Sequence, residues 1–102
     1  MVPEPLLRTI VEVYAPRRIV LFGSQARGEH GPDSDIDLVV VLDDDAPVEA
    51  LSWRRRNDAR RGFAGSVDII PCRESVLTER ARAEGSFADT ILREGVVVYE
   101  RH

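Results

Sequence analysis

The sequence predicts an α/β fold of the α+β kind, a small mixed β-sheet packed with helices, in a single domain spanning residues 1–102. Two observations carry that expectation. Short β-branched runs alternate along the chain with segments of helical period, an order that packs helices on a sheet. No repeat, linker or low-complexity stretch divides the 102 residues, a length that buries roughly 65% of the unfolded surface and so supports one core.

The elements follow in order. Pro3 to Tyr14 reads as a helix: two prolines sit where a helix start tolerates them, and Leu6, Leu7, Ile10, Val11 and Tyr14 recur at helical spacing. Ala15-Pro16 closes it. Arg18 to Phe22 (RIVLF) is a short buried strand that runs directly into Gly23, after which Ser24 is placed to cap a short helix through Arg27. The turn-rich Glu29 to Ser34 leads into Asp35 to Leu42 (DIDLVVVL), the clearest strand of the chain, ended by Asp43-Asp44-Asp45. Those three carboxylates read as a turn or a loose cation site.

Pro47 to Gly62 reads as one helix with Val48, Leu51, Ala59 and Phe63 inward and Arg54, Arg55, Arg56, Arg60 and Arg61 mainly outward. Ser66 to Pro71 is a third strand. Arg73 to Ala83 and Ser86 to Glu94 are two further helices, and Gly95 stops the second before a last strand, Val96 to Glu100.

Composition excludes several function classes. The net charge of −4 argues against direct nucleic-acid binding, which depends on a basic face. No apolar run approaches the roughly 20 residues of a membrane span, and the first residues lack a secretory pattern, so a cytoplasmic location without membrane contact is expected. Cys72 is the only cysteine, which rules out an intrachain disulfide and a thiolate zinc cluster; following Ile69-Ile70-Pro71, it reads as a small apolar side chain. All 14 basic residues are arginine, so arginine is the one strong cationic ligand for phosphate. The Arg54 to Arg61 cluster reads as a solvated face or protein interface before it reads as an RNA site.

Phosphate enters through Leu21 to His30, LFGSQARGEH. Gly23 and Gly28 match the first half of a P-loop spacing, but Glu29 and His30 stand where that loop needs Lys and a hydroxyl residue. Gly23-Ser24 lies where a strand becomes a helix, so unpaired N–H groups can point at an anion. Arg27, one turn along, is as suited to a phosphate oxygen as to an ion pair with Asp33 or Glu29. His30 reads as solvated surface. Downstream, Asp35 and Asp37 share one face of their strand by its period of two, and Asp68 repeats the arrangement between Val67 and Ile69. Singly, Asp35 reads as a turn residue and Asp68 as an exposed edge position. Together they suit hard divalent cations, and three carboxylates can hold two Mg²⁺ ions about 3.5 to 4 Å apart.

The run GSQARGEHGPDSDIDLVVV from Gly23 to Val41, the VDII of Val67 to Ile70 and the ending ILREGVVVYE resemble the minimal nucleotidyltransferases of the polymerase β superfamily. The resemblance implies that fold, with Gly23, Ser24, Arg27 and Ser34 at the nucleotide phosphates and Asp35, Asp37 and Asp68 as catalytic Mg²⁺ ligands. It also implies a HEPN-type helical toxin as partner, with the chain as antitoxin transferring AMP from ATP to a hydroxyl, a tyrosine, of that toxin. A homo- or hetero-oligomer is compatible with this. The alternative is a catalytically weak or inactive module that neutralises the same partner by binding it.

Overall fold

The computed structural model describes residues 2–23 and 35–101. Its elements are α1 (Glu4–Tyr14), β1 (Arg18–Phe22), β2 (Ile36–Leu42), a 3₁₀ turn (Val48–Leu51), α2 (Trp53–Ala59), β3 (Val67–Arg73), α3 (Glu74–Arg80), α4 (Phe87–Glu94) and β4 (Val96–Glu100). The predicted short helix from Ser24 to Arg27 lies outside the described residues, as do His30 and His102.

The four strands form one mixed sheet in the order β3-β2-β1-β4. β1 runs antiparallel to both β2 and β4, and β2 runs parallel to β3. A parallel pair cannot be joined by a tight turn, so the chain between β2 and β3 crosses one face of the sheet through the 3₁₀ turn and α2. β2 is central and buried on both faces, which explains why Leu38 to Leu42 is a continuous apolar run. Alternation sorts its side chains into two cores. Ile36, Leu38, Val40 and Leu42 meet Leu6, Ile10 and Tyr14 of α1 and Ala59 of α2; Val39 and Val41 meet Leu77 of α3 and Ala88 and Ile91 of α4.

Helix ends follow local chemistry. Ala15 adopts the left-handed conformation and returns its N–H to Val11 O, closing α1 before Pro16. Ser86 Oγ accepts from Asp89 N, and Asp89 Oδ2 accepts from Gly85 N at 2.9 Å, so the start of α4 is capped from both sides. β3 continues two residues past its predicted end, through Pro71 to Arg73. Proline is tolerated there because β3 is an edge strand.

The segment predicted as one helix from Pro47 to Gly62 is broken. Ser52 takes an extended conformation, ψ 156°, and its Oγ caps α2 by accepting from Arg55 N. The break resets the helical phase. Val48, predicted inward, is 76% exposed, and Ala50 is buried in its place. The three aspartates form the expected turn, with Ala46 N donating to Asp43 O at 3.1 Å, and two of their side chains bind protein groups. Asp43 pairs with Arg17 at 3.2 Å and Arg101 at 2.8 Å, joining β1, β2 and β4 at one end of the sheet. Asp44 accepts from Ser75 N at 2.8 Å and holds the first turn of α3.

At Gly95 the chain turns from α4 into β4 against the sheet, where an added Cβ would lie 2.5 Å from Ile91 O and against a methyl of Val20. Gly95→Ala is expected to lower unfolding free energy by about 1–3 kcal/mol, the usual cost of forcing atoms into a filled space, as read from urea denaturation.

Candidate active site

The parallel pairing of β2 with β3 sets Asp37 directly beside Asp68. Both follow the alternation of Val39, Val41 and Ile70, so they share the sheet face covered further along by α3 and α4. Neighbouring strands lie about 4.8 Å apart, which places two like charges side by side. Asp35, one position before β2, is exposed. Asp37 also pairs across β1 with Phe22, the residue before Gly23.

Gly23 fits this arrangement in two ways. Its φ is +77°, a conformation that side chains rarely adopt, and a Cβ there would stand 2.5 Å from Asp37 Oδ2. Hence the bare backbone turn after β1 lets the Asp37 carboxylate lie against it. Ser24, Arg27 and Ser34, the other residues expected at phosphate, lie outside the described residues.

Among the described residues, no cationic side chain pairs with the carboxylate set. Partial burial holds the Asp37 carboxyl above its ordinary range, and the charges of Asp68 and then Asp35 push it further in the same direction. Hard oxygen donors at raised proton affinity fit a divalent cation such as Mg²⁺. Among the described residues, however, no three His, Cys, Asp or Glu side chains close on one point. The structure thus brings Asp37 and Asp68 into register and leaves Asp35 beside them.

A feature not expected from the sequence lies on the same face. An apolar groove of 490 Å³ opens along the sheet, lined by Val39, Ile70, Cys72, Leu77, Phe87 and Ile91. Val39 and Ile70 stand two residues beyond Asp37 and Asp68 on their strands, so the groove begins one strand repeat from the carboxylates. Phe87 meets Phe22 edge to face, with centroids 5.4 Å apart. Burial pushes the Cys72 thiol up, consistent with its apolar reading. The alternation of β2 and β3 held the signal for the floor of this groove, whereas its walls depend on how α3 and α4 pack.

Two outcomes test this geometry. Gly23→Ala should lose binding of Mg²⁺·ATP in calorimetry by about tenfold or more, since the added methyl displaces the Asp37 carboxylate, while circular dichroism stays near wild type. Because the folded state holds Asp37's proton more tightly than the unfolded chain does, stability falls as pH rises through that raised range. Removing the charge removes the penalty. In EDTA at neutral pH, Asp37→Asn should therefore melt about 2 °C or more above wild type, a modest gain because the site is partly exposed.

The Nucleotidyltransferase domain family profile matches residues 6–98. No curated protein matches the chain at a significant level. Several solved structures share the fold. One is a toxin–antitoxin crystallised with AMP-PNP, 19% identical, TM-score 0.62, covering 99% of this chain and 76% of that one. A Sulfolobus solfataricus protein described as a nucleotidyltransferase is 22% identical with TM-score 0.59, covering 95% and 76% of the two chains. The toxin–antitoxin MntA–HpeT, in a variant with two Asp-to-Glu replacements two residues apart, is 16% identical with TM-score 0.59, covering 99% and 75%. These likenesses show a minimal, polymerase-β-like fold. Because the profile runs unbroken from α1 into β4 and takes in the paired carboxylate strands, the chain belongs to the nucleotidyltransferase domain family, a family of enzymes.

Proposed function

We propose that the protein transfers AMP from ATP to a tyrosine hydroxyl of a HEPN-type helical toxin and thereby acts as its antitoxin. The observation that carries this reading is the in-register pair Asp37 and Asp68, with Gly23 packed against Asp37. A protein that only occupies its partner gains nothing from like charges held side by side, an arrangement that costs stability. Two of the structural likenesses are toxin–antitoxins, one of them crystallised with AMP-PNP, which supports the nucleotide and the type of partner.

In the proposed reaction the acceptor oxygen forms a bond to the α phosphorus, the bond to the β-phosphate oxygen breaks, and pyrophosphate leaves. Asp35, Asp37 and Asp68 would hold Mg²⁺, two ions for the full set, which when bound neutralises the triphosphate and the leaving group. Gly23 lets the backbone approach the phosphates closely, with Ser24, Arg27 and Ser34 adding donors. Asp68, on the edge strand, accepts the acceptor's proton. The apolar lining of the groove sets low-polarity surface on one side of the carboxylates, which strengthens charge interactions there.

The test combines the protein, its co-expressed helical partner, Mg²⁺ and ATP labelled at the α phosphate. Label should appear on a partner tyrosine, vanish with EDTA and fall at least ~100-fold in Asp37→Asn and in Asp68→Asn, the scale on which a charge-stabilising group acts. Neutralisation of the partner that persists in both variants, with no label transferred by wild type, would instead establish a binding module.

A further inference from the structure

We propose that α2 and the 3₁₀ turn before it form a docking surface for an acidic patch on a protein partner, anchored by Trp53. The identity of that partner as the acceptor rests on the function proposed above.

Val48 to Phe63 carries five arginines against Glu49 and Asp58, a net of +3 within a chain of net −4. The structure separates four of those arginines into two groups, while Arg56 is half-buried with its Nε inside the fold. Arg55 is committed to the fold: it pairs with Glu49 through two nitrogens and donates to Val13 O at 2.7 Å, tying α2 to the end of α1. Arg61 pairs with Asp58 at 3.0 Å. Arg54 and Arg60 are exposed and make no ion pair among the described residues.

Trp53, the chain's one tryptophan, is 74% exposed at the first position of α2, and Val48 is 76% exposed at the start of the 3₁₀ turn. The inner side of this segment is filled by Ala50 and Ala59 instead. Fold stability would be served by the reverse arrangement, since a buried tryptophan contributes far more apolar area than an alanine. An exposed tryptophan at the start of α2, with exposed Arg54 beside it and exposed Arg60 at the C-cap, is the composition of an interface centre, where Trp and Arg anchors dominate binding. Charge then selects the occupant. The basic island complements carboxylates, whereas the acidity of the rest of the chain opposes the extended phosphate backbone of RNA.

Position adds a second consequence. α2 packs with α1 on the sheet face opposite Asp37 and Asp68, so a partner seated on it leaves the carboxylate face open. β3 is the edge strand on the carboxylate side, and around that edge a docked acceptor can reach Asp68.

Trp53 reports on its own surface. Its fluorescence should shift to the blue and become shielded from iodide when the co-expressed helical partner is added, and should not change with Mg²⁺·ATP. Trp53→Ala and the double variant Arg54→Glu, Arg60→Glu should each weaken that complex about tenfold or more by calorimetry, with melting temperature and ATP binding held. Raising salt should weaken the wild-type complex more than the charge-reversed one. A stoichiometric complex that leaves Trp53 emission unchanged, or variants that bind like wild type, overturns the surface. So does a blue shift produced by RNA and absent with the protein partner. Docking through Trp53 without label transfer would retain the surface and overturn the adenylyl transfer.

Discussion

The parallel pairing of β2 with β3 is the constraint from which the rest of the structure follows. It sets Asp37 against Asp68, Leu38 against Ile69 and Val39 against Ile70, so one register fixes the carboxylate pair, the buried core and the floor of the groove. A slip of one residue would turn every β3 side chain to the other face, carrying Asp68 to the core under α2 and Ile69 out of it. The apolar alternation thus guards the position of the charges. Parallel pairing also demands the crossover that places α2 on the far face, which separates the basic helix from the carboxylates.

Much of this was legible in the residues, and the misses share a cause. Strand alternation marked Asp68 as the counterpart of Asp37, which the register supplies, whereas Asp35 stands one position before the strand that was read to include it; turn and cap residues marked the starts and ends of most helices. Register was not legible, because it depends on partners distant in sequence. Asp43 shows this well: the turn read there is present, but the partners of its side chain were not legible, since Arg17 and Arg101, separated from it by 26 and 58 residues, claim both its oxygens. Val48 failed for a local reason. Its inward assignment assumed one continuous helical phase, and the extended Ser52 with a 3₁₀ turn before it broke that phase.

Stability and chemistry pull against each other at the carboxylates. Asp37 is desolvated beside two like charges, a placement that a sequence selected for stability alone would replace with an amide or an apolar residue. Val39 and Ile70, on the same face and strands, show what the sheet otherwise prefers there. Gly23 intensifies the conflict, since its open backbone gives up helix and strand propensity to admit the carboxylate. The fold tolerates both because the two cores on either side of β2 hold the strand rigidly.

The distribution of arginine explains how such a site can take an anionic substrate. The chain has no lysine, and many arginines of the described residues are spent within the fold: Arg17 and Arg101 on Asp43, Arg18 on Glu74 at 2.6 Å, Arg55 on Glu49, Arg93 on Asp89. Arg18 lies in the strand that borders the site, yet its partner is the first residue of α3, where it ties β1 to that helix. Among the described residues, a triphosphate brought to Asp37 and Asp68 therefore meets negative charge from the protein as well as its own. In the proposed reaction, carboxylates and triphosphate are compatible only with cations between them, so cation and nucleotide must each raise the affinity of the other, by linkage. In the proposed site Arg27 of LFGSQARGEH takes the place of a P-loop lysine as the fixed charge on the nucleotide side. The carboxylates make further positive charge conditional on a cation, and tie its position to the register of β2 and β3.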